Sequence, residues 1–179
     1  MSSLLLRPRL IVFDCDACLW SPECFEIAPP LRKLDDVTVL AGRTTRVSLF
    51  PGAVQAFRDI LQLPEFKETK IALASTTRYP EHSKILREFF CPIPGVSIAS
   101  VACSSQIFYA YDKIGHFENI RKETGIPFSE MLFFDDCIWG DNVGDVVRQC
   151  PGVVGVRTPE GLTVEKWQEG LSIFAQRHF

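Results

Sequence analysis

"LIVFDCDACLW", residues 10–20, opens on four consecutive apolar residues and breaks abruptly at Asp14. An apolar run with no polar alternation is the pattern of a strand buried on both faces, as in the middle of a parallel sheet. Two chemically active pairs follow at once. One is the carboxylates Asp14 and Asp16; the other is the thiols Cys15 and Cys18 of a Cys-x-x-Cys. The rest of the chain decides what sheet surrounds this strand and which pair carries chemistry.

Working outward, residues 19–36 hold Pro22, Pro29, Pro30 and the charged "RKLDD" and read as irregular. "VTVL" and "RVSLF" flank "AGRTT", where Gly42 in a short polar link predicts a β-hairpin over 37–49. Pro51 suits a first helical turn, and Val54, Phe57, Ile60 and Leu61 continue a helix to residue 62. "KIALAS", 70–75, reads as a second buried strand, followed by a helix over 80–90 with Ile85, Leu86, Phe89 and Phe90 on one face. "VSIASVAC", 96–103, is a third strand, and a helix over 113–124 is stopped by Gly125 as a C-terminal cap. "MLFF", 131–134, and "VVGV", 153–156, are the fourth and fifth strands, and a helix over 163–176 closes the chain. Strands alternating with helices predict an α/β fold: a doubly wound parallel sheet with right-handed crossovers. The expected organisation is one domain over residues 1–179, with the hairpin region, about 19–50, as an insertion rather than a domain of its own.

Composition narrows the function classes. The 46% hydrophobic and 23% charged residues are ordinary for a globular protein with one core. A net charge of -3 argues against a general nucleic-acid binder, whose footprint is basic. The apolar runs fall far short of the ~20 residues of a membrane span. The start, "MSSLLLRPRL", is too short for the apolar region of a secretory signal and lacks a preceding basic region. Seven cysteines, an odd number without a framework spacing, read as reduced thiols of a cytoplasmic protein.

Three of the buried-looking strands end in polar residues: Asp14, Ser75, and Asp135 with Asp136. In a parallel sheet all strand C-termini lie on one edge, where ligands bind near the point at which strand order reverses. Lys113 begins the helix after the third strand, next to an already positive helix N-terminus, so an anionic partner is expected for it. This mixture fits phosphoryl transfer to a carboxylate, with Asp14 as nucleophile. Carboxylate and phosphate repel, so a hard cation with oxygen ligands, Mg2+, is expected between them, on Asp14, the backbone carbonyl of Asp16, and Asp136. Asp16 is placed to protonate the leaving oxygen and then to activate water. Ser75, with Thr76 beside it, would hold phosphoryl oxygens, and Lys113 would neutralise developing charge.

"FDCDACLW", "ALASTTR", "DKIGHF" and "MLFFDD" together resemble the four motifs of the haloacid dehalogenase superfamily, in order. The Leu-Trp after the first motif, the surroundings of Lys113 and "TGIPFSEMLFFDD" are similar to its magnesium-dependent acid phosphatases. The resemblance covers most of residues 9–175. It implies a Rossmann-like core without a large cap domain, Mg2+ dependence and a phospho-aspartate on Asp14. It further implies Asp16 as acid and base, Ser75 and Lys113 on phosphate, and Asp136 as metal ligand with Asp135 as an acidic neighbour. The implied substrates are small phosphorylated metabolites, sugar phosphates among them, or phosphotyrosine. The hairpin and the loop holding Trp20 would be the nearest thing to a lid, with Trp20 the best of the aromatic candidates over Phe25 and Trp139. Four departures stand out, one being the segment after Asp136, "CIWGDNVGD", which is longer than in relatives. Ala17 replaces a larger residue, Cys18 stands where Thr or Val is usual, and Thr76-Thr77-Arg78 follows Ser75 where relatives often carry Arg directly, so that Arg78 would act from a different place.

Two rival readings make different predictions. A non-catalytic relative, motivated by Ala17 and Cys18, would be a phosphate- or protein-binding module indifferent to loss of Asp14. A zinc or thiol-redox protein would depend on Cys15 and Cys18 instead. A zinc site wants four tight ligands and no second paired motif occurs, while the neighbouring aspartates disfavour thiolate.

Overall fold

In the computed structural model, which describes residues 6–177, Leu10–Phe13 is indeed a strand, β1, with every residue buried. The reading of the leucine-rich start as no export signal falls partly on residues 1–5 and lies outside the described residues. The chain continues through β2 (Trp20–Ser21), a 3₁₀ turn (Cys24–Glu26), β3 (Leu31–Lys33), β4 (Thr38–Ala41), β5 (Thr45–Leu49) and α1 (Pro51–Gln62). Then come β6 (Lys70–Ser75), α2 (Pro80–Phe89), α3 (Ile98–Val101), β7 (Ala102–Ile107) and α4 (Ile114–Thr124). The last elements are β8 (Met131–Asp135), α5 (Asn142–Gln149), β9 (Val154–Arg157) and α6 (Val164–Gln176).

The main sheet has five strands in the order β7-β6-β1-β8-β9, every neighbouring pair parallel. β1 lies at the centre because its alternate side chains feed two separate cores. Ile11 and Phe13 pack with Phe57 of α1, Phe134 and Trp167 of α6, and Phe13 stacks on both Phe57 and Phe134. Leu10 and Val12 face the opposite layer, with Phe117 and Ile120 of α4, Phe133, and Val146 of α5. Order reverses at β1: the chain runs outward through β6 and β7, then returns to β8 and β9 on the other side. The result is a Rossmann-like fold with no large cap among the described residues.

The insertion is larger than a hairpin. β4 and β5 pair antiparallel as the turn chemistry predicts, but β2 and β3 flank them in a four-stranded sheet ordered β2-β5-β4-β3. The prolines of the 19–36 segment sit outside these two short edge strands.

The third strand is displaced from its expected place. Residues 98–101 form the short helix α3, capped by Ser97, whose Oγ accepts the Ser100 N–H, and the strand runs over 102–107 instead. α5, which the hydrophobic pattern did not single out, is capped by Asp141, whose side chain accepts the Gly144 N–H.

Candidate active site

Every polar strand end singled out from the sequence reaches one edge of the main sheet. Asp14 follows β1 and keeps its ladder, donating its N–H to Phe134 O at 2.9 Å. Ser75 ends β6 and Asp135 ends β8. Lys113 occupies the N-cap position of α4, which returns beneath the same edge.

Lys113 is 1% exposed and donates to Asp14 Oδ1 and to Asp135 Oδ2, both at 2.5 Å. Asp135 Oδ1 accepts the Cys137 N–H at 2.8 Å, and Asp136 Oδ2 accepts the Ile138 N–H at 2.9 Å. Oxygens of Asp14, Asp135 and Asp136 lie within 4.8 Å of one another. Three carboxylates and one ammonium leave a formal charge of two minus in a buried place. Burial and the two neighbouring carboxylates therefore push Asp14 well above the usual carboxylate range, although Lys113 pulls the other way. Burial opposes the Lys113 ammonium, but Asp135 and Asp14 outweigh it and hold its pKa above that of an ordinary lysine. A divalent cation offsets the remaining charge, and hard carboxylate oxygens are its natural ligands, so this group fits one. Asp135 is thus more than an acidic neighbour: it shares the Lys113 ammonium with Asp14. Asp16 adds no side-chain oxygen to this group; the part expected of it is its backbone carbonyl.

Asp16 has its own surroundings. Its Oδ1 accepts the indole N–H of Trp20 at 2.8 Å and the Cys24 N–H at 3.1 Å. Burial raises its pKa, with those hydrogen bonds acting in the opposite direction. The loop is tight: Ala17 adopts a left-handed φ of 58°, and its N–H donates to Trp20 O at 2.8 Å.

Below Ser75, His116 fixes the strand end. Its Nε2 faces two carbonyl oxygens, Ser75 O at 3.0 Å and Phe108 O at 3.1 Å, so Nε2 carries the hydrogen and donates to both. Its ring stacks on Phe108 with centroids 3.9 Å apart.

These groups surround a cavity of about 560 Å³ lined by Asp14, Asp16, Ser75, Thr76, Lys113 and Asp136, with Arg78 further out. Its mouth is aromatic: Phe25 and Trp139 are sequence candidates that reach it, while the tyrosines there were not singled out. Phe25 and Trp139 meet edge-to-face at 6.0 Å, and the Trp139 indole N–H is shared between both oxygens of Glu23 at 3.1 Å. Across from them Tyr79, Tyr109 and Tyr111 line the mouth, with the Arg78 guanidinium 4.0 Å over the Tyr109 ring. The first group follows β2 and β8 and the second follows β6 and β7, so the two flank β1 from opposite sides. The available signal was the position of these aromatics just beyond strand ends.

Trp20 is the correction. It is fully buried, packs tilted against Phe90 with ring centroids 5.7 Å apart and does not line the cavity, so it is no lid; its β2 position turns the ring into the core, whereas Trp139 is 77% exposed. The thiols behave as their aspartate neighbours led one to expect. Cys15 and Cys18 are buried, and burial followed by the nearby carboxylates pushes both thiols well above their usual range. Cys18 packs between Phe134 O and the Thr158 hydroxyl. Among the described residues, the metal-competent group contains no cysteine. Ala17 and Cys18 also lie outside the cavity lining, so the two departures that motivated a non-catalytic reading leave the catalytic groups untouched.

A carboxylate cluster clamped by a buried lysine, at the switch point of a Rossmann-like parallel sheet, defines a phosphatase of the haloacid dehalogenase type. The chain belongs to the acid phosphatase family, which its sequence matches over residues 6–177. It is 33% identical over 171 residues to magnesium-dependent phosphatase 1 of Homo sapiens, covering 94% of this chain and 88% of that protein. It is 29% identical over 138 residues to a HAD-like hydrolase superfamily protein of Schizosaccharomyces pombe, covering 72% of this chain and 76% of the other. Its fold is similar to the phosphatase domain in the N-terminal part of a Bacteroides fragilis protein, solved in complex with Mg. The TM-score is 0.63 at 16% identity, over 94% of this chain and 40% of that one.

Proposed function

We propose that this protein is a Mg2+-dependent phosphomonoesterase that works through an aspartyl-phosphate on Asp14. The observation that carries the reading is Lys113 buried between Asp14 and Asp135, with Asp136 completing a group whose charge a divalent cation balances. Mg2+, held by Asp14, Asp136 and the Asp16 backbone carbonyl, with Asp135 beside them, would screen the charge of an incoming phosphate. Lys113 favours the ionised form of Asp14 against the burial that raises its pKa, and by holding Oδ1 leaves the other carboxylate oxygen for phosphorus. Ser75 and Thr76 hold phosphoryl oxygens. Asp16 gives its proton to the leaving oxygen and takes one from water in the second step. Its raised pKa suits a group that must be protonated before it acts.

The mouth bears on the substrate. Aromatic rings on both sides of β1 favour a flat leaving group such as the phenol ring of phosphotyrosine, and Arg78 supplies a cation for an anionic neighbour. Sugar phosphates are the competing class, since sugar faces also stack on such rings. The protein is read as a cytoplasmic enzyme of small phosphorylated metabolites or phosphotyrosine, without nucleic-acid or membrane partners. Among the described residues no helix is long and apolar enough to cross a membrane.

The test is hydrolysis of an aryl phosphate with and without Mg2+. Wild type is expected to need the metal, Asp14→Asn to be inactive while folded, and Cys15→Ala/Cys18→Ser to retain turnover. Activity that follows the cysteines, or survives Asp14→Asn, rejects the proposal.

A further inference from the structure

We propose that Trp20 is a positioning residue for proton transfer, its indole N–H fixing which oxygen of Asp16 presents the proton to the leaving group. The inference rests on the phosphatase reading and adds to it a residue that never touches substrate. Trp20 Nε1 donates to Asp16 Oδ1 at 2.8 Å, and the Cys24 backbone N–H reaches the same oxygen at 3.1 Å. An oxygen that accepts from two donors is occupied as an acceptor, so the neutral acid carries its hydrogen on Oδ2. Asp16 lines the cavity, which places that proton at the reaction site. In the first step a bond forms between an Asp14 oxygen and phosphorus, and the bond from phosphorus to the ester oxygen breaks. The electron pair goes to that oxygen, and the Asp16 Oδ2 proton goes with it.

The indole is held as a positioning device requires. Trp20 is fully buried, and as a residue of β2 it pairs with Leu49 of β5. Its carbonyl accepts the Ala17 N–H, closing the turn that follows Asp16. The insertion sheet therefore anchors the acid of the main sheet through one side chain. A buried tryptophan whose N–H met only a convenient acceptor would be ordinary packing; here the acceptor is the proton donor of the reaction, and a second, backbone donor converges on the same oxygen.

Trp20→Phe keeps the ring and removes the donor. Its effect is to be read with two Mg2+-loaded substrates, 4-nitrophenyl phosphate, whose leaving group departs without help, and phenyl phosphate, whose leaving group needs the proton. The expected result is a loss in kcat/KM at least about 10-fold larger on phenyl phosphate, a part of the ~10²–10⁴ that acid catalysis supplies. Phe90→Leu disturbs the packing of the same indole without removing its N–H and is expected to show no such selectivity. Should Trp20→Phe fail to fold, Cys24→Pro removes the other donor at the first residue of its 3₁₀ turn, where proline is tolerated. It is compared with Cys24→Ala, which keeps that N–H, and the same selective loss is expected. Independently of turnover, the Trp20 indole proton in an NMR spectrum of the protein is expected to exchange slowly with solvent and to move upfield in Asp16→Leu. Equal losses on both substrates, matching selectivity in Phe90→Leu, or an indole proton indifferent to Asp16→Leu would overturn the inference while leaving the phosphatase reading intact. Wild type that turns over no phosphomonoester with Mg2+ defeats that reading and the inference with it.

Discussion

Lys113 is the residue on which the site's electrostatics turn. It is the ammonium among three buried carboxylates, and removing one partner of a buried pair strands the others. Lys113→Met is expected to lower stability by about 3–5 kcal/mol at neutral pH and to abolish turnover, as measured by urea denaturation without added metal. His116 offers a pH test. Its Nε2 serves two carbonyl oxygens and its buried Nδ1 has no hydrogen-bond partner among the described residues, so a second ring proton would find no acceptor there. Burial, first among the causes, lowers its pKa. The unfolded chain then takes up the proton first as pH falls. The stabilisation is complete above the unfolded value, about 6.5, and is lost as pH drops through the lower folded value. Tm measured from about pH 8 to about pH 5 should fall more steeply for wild type than for His116→Gln, and parallel curves would show that His116 is not the titrating group. At this scale the motif carboxylates and Lys113 were readable because each closes a strand or opens a helix. The ranking of aromatics was not. Trp20, Phe25 and Trp139 are alike in a sequence, and only the pairing of β2 with β5 decides that Trp20 turns inward.

Among the elements, α1 and α6 show how a single hydrogen atom sets a packing distance. A Cβ on Gly52 would lie 2.2 Å from the backbone carbonyl of Thr163, the N-cap of α6. No rotamer relieves a clash with backbone, so Gly52→Ala is expected to cost at least about 2 kcal/mol, seen as a lower urea midpoint at unchanged m-value. α5 carries a milder prediction. Asp141 caps it and also pairs with Arg157 of β9, and these contacts lower its pKa to about 2. A depressed carboxylate stabilises above its unfolded pKa of about 3.9 and loses that contribution as pH falls. The Tm difference between wild type and Asp141→Ala should be full near neutrality and close as pH approaches about 2. The elements also show where sequence patterning stops. The four strands with uninterrupted apolar runs stand within a residue of their expected places. β7 does not, because it is polar and lies at the sheet edge: its buried Ser104 and Gln106 are satisfied by Glu123 of α4. The apolar Ile98 and Val101 nearby looked more strand-like but serve a capped turn of helix. α5 escaped because its stripe is short, Val143, Val146 and Val147, broken by Gly144 and Asp145.

For the molecule as a whole, the two sheets meet at the chemistry, where Trp20 of β2 holds Asp16. The main sheet supplies the carboxylates, and the insertion sheet supplies β2 and the turn that borders Asp16. Because the charge left among Asp14, Asp135, Asp136 and Lys113 calls for a divalent ion only in the folded state, Mg2+ should raise the unfolding temperature. At 100 times its dissociation constant the gain is about 2.7 kcal/mol, and Asp136→Asn should remove most of it. An unchanged Tm at saturating Mg2+ would argue against a metal site in that group.

The arrangement of the three tryptophans also provides an optical readout. Trp20 and Trp167 are sealed in the core, while Trp139 stands at the cavity mouth, open to solvent and held by Glu23 and the edge of Phe25. Collisional quenchers such as iodide will therefore sample essentially one emitter. A ligand seated between the two aromatic flanks shields that emitter, so occupancy of the site can be followed by loss of quenching in the unlabelled protein, without turnover and without a chromogenic substrate.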